Sequence, residues 1–227
     1  EPGQHKPCRG ESRMTRDAVL ARPFRTVPAP APTLAAPKDG IVDLPPGKIA
    51  AIATYLEMRG PPASLPPFSG RLERLAGDLA RYRALYARIG EPWLWFTRAA
   101  MSDAALGRIL RDPAVEAWIL VEDGRDAALV ELDFRQAGEC EIVFFGLAPE
   151  WCGKGLGVPL LGEALRRAFA RPVDRVWLHT CTLDHPAAIR TYLRAGFTPY
   201  RRAIEVADDP RLAGYLPASA APLFPSL

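Results

Sequence analysis

The spacing of apolar positions changes repeatedly along the chain, and each change predicts an element. Gly47 to Met58, G-K-I-A-A-I-A-T-Y-L-E-M, is a moderately apolar run entered through Pro45-Pro46 and predicts a first strand. Leu72, Leu75, Leu79, Tyr82, Tyr86 and Ile89 recur at three- and four-residue steps, one face of an amphipathic helix ended by Gly90 and Pro92. Ser102 predicts the cap of a short helix with Ala105, Leu106, Ile109 and Leu110 inward. After Pro113 the pattern turns to strands: Val115–Glu122, then Asp123-Gly124 as a tight turn, then Ala127–Phe134 with Ala128, Val130, Leu132 and Phe134 on one face. Ala137-Gly138 turns the chain again into Glu139–Leu147, which completes an antiparallel meander. Leu156, Leu160, Leu161, Ala164, Leu165, Ala168 and Phe169 form the best helical stripe in the chain. A strand over Val173–Cys181, a helix capped by Asp184 and stopped by Gly196, and a last strand from about Tyr200 to Val206 follow.

Residues 1–47 break the periodicity. Of the 24 prolines, 13 precede residue 68, and the stretch from Pro23 to Pro46 has no repeating apolar position, so it predicts a disordered or polyproline-like arm ahead of a domain spanning 48–227. The first methionine is Met14, and residues 1–13 are expected to be foreign to the native chain or upstream of its start. The formal net charge is +3, but residues 1–48 hold 8 Lys/Arg against 5 Asp/Glu, which leaves 21 of each for the rest. The domain is therefore neutral overall and gives no bulk electrostatic case for nucleic acid or membrane. No apolar run nears the roughly 18–20 residues a bilayer needs, and 4 cysteines in 227 residues make no disulfide framework. Without an apolar leader, a cytoplasmic location is the default expectation.

Chemistry concentrates after the third strand of the meander. Ala148 to Gly157 reads A-P-E-W-C-G-K-G-L-G. Gly153, Gly155 and Gly157 at alternate positions let backbone N–H groups converge on an anion, and the helix that starts there adds its positive end. The same residues also read as a glycine-rich turn without chemistry. A P-loop is excluded, because no Gly-Lys-Ser/Thr follows at the required spacing, and a dinucleotide fingerprint would need a third glycine where Val158 stands.

Two strings carry a resemblance. C-G-K-G-L-G, Cys152 to Gly157, followed after a strand by A-I-R-T-Y-L-R-A-G-F, Ala188 to Phe197, resembles the GNAT superfamily of acyl-CoA-dependent N-acetyltransferases. That family's loop is Arg/Gln-x-x-Gly-x-Gly/Ala; Gly155 and Gly157 match it, and Cys152 replaces the Arg/Gln. The resemblance covers about residues 48–207 and is strongest over 115–200. It implies an α/β fold with a mixed, mostly antiparallel sheet, split into a V where the Glu139–Leu147 and Val173–Cys181 strands part. It implies acetyl-CoA as co-substrate, held by Leu147, Ala148, Cys152, Gly153, Lys154, Gly155, Leu156, Gly157, His185 and Tyr192. It also implies a strand bulge at Gly146-Leu147-Ala148, which would free the Leu147 N–H as an oxyanion donor. Tyr192 then stands where relatives present a general acid to the departing thiolate, although it shares a helix face with Ala188 and Gly196 and equally reads as packing. Glu141 stands where relatives carry a catalytic carboxylate, with Glu131 as a rival and a solvated sheet face as the plain alternative.

These implications predict transfer of an acetyl group from acetyl-CoA to a primary amine on a small molecule or peptide, by direct attack, in a monomer or homodimer without metal. Two alternatives stay open: a GNAT-like module that binds acyl-CoA without turnover, and a cysteine hydrolase built on Cys152. His179, Cys181 and His185 lack the second pair that a structural zinc site requires. Trp93, Trp95 and Phe96 read either as a substrate wall or as core.

Overall fold

The structure is a computed structural model that describes residues 39–64 and 66–226. The arm expected over residues 1–47 therefore lies, up to residue 38, outside the described residues, as does the expectation for residues 1–13. Eleven elements follow in chain order among the described residues: β1 (Lys48–Met58), β2 (Arg71–Arg74), α1 (Leu79–Gly90), α2 (Asp103–Leu110), β3 (Val115–Glu122), β4 (Arg125–Asp133), β5 (Glu139–Leu147), α3 (Gly157–Phe169), β6 (Arg175–Cys181), α4 (Ala188–Arg194) and β7 (Thr198–Asp208). The seven strands form one sheet in the order β2-β3-β4-β5-β6-β1-β7. Its β5–β6 pair is parallel and the other neighbours run antiparallel. This is the mixed α/β sheet that the sequence resemblance implies. Among the described residues no helix is long and apolar enough to cross a membrane.

The β3–β4–β5 meander follows from its turns. Asp123 and Gly124 both adopt positive φ, 51° and 72°, as a two-residue hairpin turn matched to strand twist requires. β4 is buried on both faces, from Ala127 to Leu132, because helices cover both sides of it. α1 packs on the face that carries Glu131 and Gly146; α3 packs on the opposite face, with Leu160, Leu161, Ala164, Leu165 and Ala168 in the core.

One expected element splits in two. The helical spacing from Leu72 to Ile89 holds only from Leu79. Arg71–Arg74 instead pairs with β3, Leu72 opposite Leu120. Gly77, at φ +91°, ends the continuity. Asp78 caps α1 by accepting the Arg81 N–H at 3.0 Å. A three- and four-residue spacing of leucines is thus shared between a strand, a turn and a helix. Ser102 caps α2 as expected, accepting the Ala105 N–H at 3.3 Å.

Beyond β7 the chain continues as a strap. Leu216, Ala220 and Ala221 pack with Leu94 in a second small core, which Ile49 and Phe96 join. Arg211 fastens the strap: it donates to Asp209 at 2.7 Å and to the carbonyls of Ala220 and Phe224. Ser226 donates to the same carboxylate at 2.8 Å.

Candidate active site

β5 and β6 are paired only over Glu139–Arg175, Cys140–Val176 and Glu141–Trp177, while β5 stays paired with β4 as far as Leu147–Ala128. The two parallel strands therefore part after Glu141. The Ala148 N–H donates to Ala127 O at 2.8 Å. Strand alternation then turns Gly146 toward β4 as well, and turns the N–H groups of Phe145 and Leu147 the other way. They face the side on which β6 has moved off, so β6 offers them no ladder partner.

The ladder irregularity lies upstream of its expected place. Glu131 pairs with Phe144 and Leu132 with Ile142, which leaves Val143 as the extra residue. Gly146 has a different task. A Cβ there would stand 2.5 Å from Ile89 Cγ2 and 3.0 Å from Trp95 Cη2, so glycine lets α1 and the following segment close onto β5. Gly146→Ala is expected to cost about 1–3 kcal/mol as an overpacked core position. A thermal melt reads it, and an unchanged Tm would show that Ile89 and Trp95 yield freely.

The glycine turn follows β5 directly. Pro149–Trp151 makes one 3₁₀ turn, Cys152 is extended, and Gly153 and Gly155 take left-handed φ of 77° and 79° with open space around them. α3 starts without a side-chain cap, so its first N–H groups are left to solvent or a ligand. Ala148 is buried and Leu156 half-buried, and a Cβ at Gly157 would stand 3.5 Å from Leu147 Cδ1, an ordinary contact. Lys154 sets its ammonium 4.3 Å above the Trp151 ring.

The Cys152 thiol donates to the carbonyls of Leu147 and Ala148, 3.7 Å from each. Burial, and then the Glu150 charge, push this thiol above its ordinary range. A nucleophilic cysteine needs the opposite shift, so nothing favours the hydrolase alternative.

Glu141 sits at the point of parting, with its side chain 12% exposed. Burial first, then the neighbouring Asp133 and Glu131, push its carboxyl up to about 8, against the opposing pull of Arg98 and Arg135. Across the gap, Glu141 Oε1 lies 3.8 Å from His179 Nδ1 on β6. The rival carboxylate, Glu131, is fully buried and committed. It accepts the Tyr82 hydroxyl at 2.5 Å and the Arg98 guanidinium at 2.6 Å. Glu139 is paired with Arg175.

Tyr192, on α4, is buried edge-on against Phe145 at 6.3 Å and Phe197 at 6.1 Å. Burial, and then Asp184, hold its hydroxyl well above the usual tyrosine range. It reaches β5 at one of the two residues whose amides face the opening. His185 uses Nδ1 to accept the Ala187 N–H at 3.0 Å at the start of α4, and its ring meets Trp93 edge-on. Asp184, expected as that cap, binds elsewhere. It accepts from the Thr180 hydroxyl at 2.8 Å, the Cys181 N–H at 2.9 Å and Trp95 Nε1 at 3.3 Å. Trp95 also packs on Tyr86 and Phe144. No group of three or more His, Cys, Asp or Glu among the described residues is placed to hold a metal ion.

Sequence spacing had no means of finding Arg98 or the approach of His179 to Glu141. Both depend on contacts across more than thirty residues.

An open α/β sheet whose parallel pair parts beside a glycine turn and a helix start is the architecture of a group of acetyltransferases. The chain belongs to the acetyltransferase (GNAT) family, whose model matches residues 81–197, just over half of it. It is 32% identical over 143 residues to a mycothiol acetyltransferase of Clavibacter michiganensis subsp. michiganensis. The match covers 60% of this chain and 38% of that relative, so the chain spans well under half of the relative's length. Two solved structures share the fold. One is a putative GNAT-family acetyltransferase from Novosphingobium aromaticivorans, with TM-score 0.51, 22% identity and coverage of 73% of this chain and 68% of that one. The other is a GCN5-related N-acetyltransferase from Kribbella flavida, with TM-score 0.52, 21% identity and coverage of 74% and 63%.

Proposed function

We propose that the protein transfers an acetyl group from acetyl-CoA to a primary amine by direct attack. The observation that carries this reading is the pair of unclaimed amides, Phe145 and Leu147, that open beside an uncapped helix start. The residues fit such a donor. The turn from Cys152 to Gly157, with Lys154 above Trp151, offers backbone N–H groups and one cation to a pyrophosphate. Leu147 and Ala148 lead from it into the opening. His185 keeps Nε2 for a ligand, since Nδ1 is spent on α4. Bound there, acetyl-CoA supplies an activated acyl thioester.

The chain's own residues then divide the work. A lysine-like amine costs about 4.6 kcal/mol to deprotonate at pH 7, and Glu141 takes that proton. The Leu147 N–H steadies negative charge developing on the acyl oxygen, a contribution of about 2.7–4 kcal/mol for one such donor. Tyr192 stays protonated throughout the physiological range, so it acts as a donor and gives its proton to the departing thiolate. The relative named for mycothiol supports a small molecule as acceptor.

Incubation of the full chain with acetyl-CoA and an amine panel, followed by free-thiol release and product mass, tests the reading. Acetylated amine is expected. No acetyl-CoA binding at millimolar levels, or binding without any product, overturns it. Tyr192→Phe is expected to lower kcat about a hundredfold with the acetyl-CoA Kd unchanged; an equal kcat removes the tyrosine as the acid.

A further inference from the structure

We propose that β7 is the surface through which two copies of this chain join, strand to strand, about a two-fold axis at Ala203. β7 ends the sheet, with β1 on one side and no further strand among the described residues on the other. The opposite end of the sheet is guarded, since β2 is only four residues long with arginine at both ends. β7 runs for eleven residues, and none of them is buried. Ile204 and Val206 are 64% and 53% exposed, and Ile52, opposite Ile204 on β1, is 53% exposed. These β-branched side chains make an apolar strip beside a long open edge.

Contacts of β1 fix which way the edge amides point. The Ile52 N–H donates to the Thr182 hydroxyl at 3.1 Å, and the Ile52 carbonyl accepts the Thr182 N–H at 3.2 Å. Both backbone groups of Ile52 thus face the β6 side. In an antiparallel ladder, its partner Ile204 then turns both of its own groups away from β1 and out of the sheet. The Asp209 N–H donates inward to Gly47 O at 2.9 Å, in keeping with the same alternation. Odd-numbered residues from Arg201 onward bond to β1, and Arg202, Ile204 and Val206 offer their N–H and C=O groups outward.

A second β7 can meet these groups only in registers whose axis passes through a residue. An axis at Ala203 overlays Thr198–Asp208 on itself end to end. Arg202 then exchanges both hydrogen bonds with the partner's Ile204, and the symmetry-related pair does the same. Arg201 stands directly opposite the partner's Glu205, also twice, in the closely spaced non-hydrogen-bonded pairing where side chains meet best. Two alanines face each other at the axis. Ile204 lies diagonal to the partner's Ile204, which joins the two apolar strips. Neighbouring axes lose these matches. At Arg202 two arginines oppose each other, at Glu205 two carboxylates do, and at Ile204 the Arg201–Glu205 pairing is broken.

Dimerisation needs no acetyl transfer, so its test is separate from activity. Sedimentation of the full chain from low to high micromolar concentration is expected to show a monomer–dimer equilibrium. Ile204→Lys puts a charge on the apolar strip, and Arg201→Glu sets carboxylates opposite each other. Each should raise the dimer Kd about tenfold or more, and Glu205→Arg added to Arg201→Glu should bring it back to within about threefold of wild type. Ala203→Cys should form a disulfide-linked dimer on oxidation, because residues facing across the axis stand about 4.5 Å apart at Cα. Ala207→Cys should link no more than wild type. A monomer at every concentration, or a dimer that neither charged variant weakens, overturns the proposal. Linkage through Ile204→Cys without linkage through Ala203→Cys overturns it too, and this readout stands even if a charged variant folds badly.

Discussion

Arg98→Met is expected to lower stability by about 3–5 kcal/mol, because it strands a buried carboxylate. The Arg98 side chain is 9% exposed and Glu131 is wholly enclosed; their contact is 2.6 Å. Arg98 also lies over the Phe144 ring at 5.2 Å, and its backbone N–H donates to the Tyr86 hydroxyl. Methionine preserves much of the stem's packing and removes only the charge and its hydrogen bonds. Glu131 would keep the Tyr82 hydroxyl alone. At about 2–4 °C per kcal/mol for a domain of this size, Tm should fall by about 10 °C. Calorimetry of Arg98→Met, Glu131→Gln and the double variant checks it. The double variant should recover part of the loss, since it leaves no unpaired charge. A Tm within 2 °C of wild type for Arg98→Met would mean that the pair contributes nothing net.

Glu141→Gln should exchange activity for stability. Removing a group that handles the amine proton is expected to lower kcat by about two orders of magnitude or more. The stability change has a definite sign. The carboxyl titrates at about 8 in the folded chain against an ordinary 4.5. The folded state therefore holds this proton more tightly than the unfolded one. Its contribution is whole below about pH 4.5 and is lost as pH rises through 8. Glutamine has no proton to lose. The variant should match wild type in stability near pH 4 and exceed it increasingly from pH 5 to about 8, by on the order of a few kcal/mol at the plateau, and its Tm should rise above wild type accordingly. Parallel melts and steady-state kinetics decide the matter. A Tm difference that stays constant with pH, or a kcat within fivefold of wild type, would count against Glu141 as a buried proton carrier.

Much of the fold was legible because local signals and tertiary demands agree there. The Asp123-Gly124 turn, the Ser102 cap and the α3 stripe each specify their own element, and β5 runs over Glu139–Leu147 as its pattern predicts. β2 was illegible for a physical reason. A four-residue edge strand shares leucine spacing with the helix beyond it, and only pairing with β3 decides between them. The task of Gly146 is not legible in the sequence, since the Ile89 side chain that approaches it lies 57 residues away. In the site, the glycine turn announces itself through composition. The Glu141–His179 approach does not, because it requires the parallel register of β5 and β6. The state of Glu131 could not be read either: a carboxylate on a strand looks alike whether it faces water or a buried guanidinium.

The parting of β5 and β6 sets an unfinished edge inside the sheet. Proteins usually guard such edges at the periphery by keeping them short or charged, and β2, four residues with arginine at both ends, follows that practice. The inner edge is guarded by enclosure, with α1 over one face and α3 over the other. On the proposed reading, the gap takes a single slender chain with its own amides and carbonyls. On that reading, recognition falls to the peptide N–H groups at 145 and 147, which are the same whichever side chains stand there. The information for this contact is thus written in backbone path, through a glycine at 146 and a bulge at 143, and hardly at all in the letters at the contact itself.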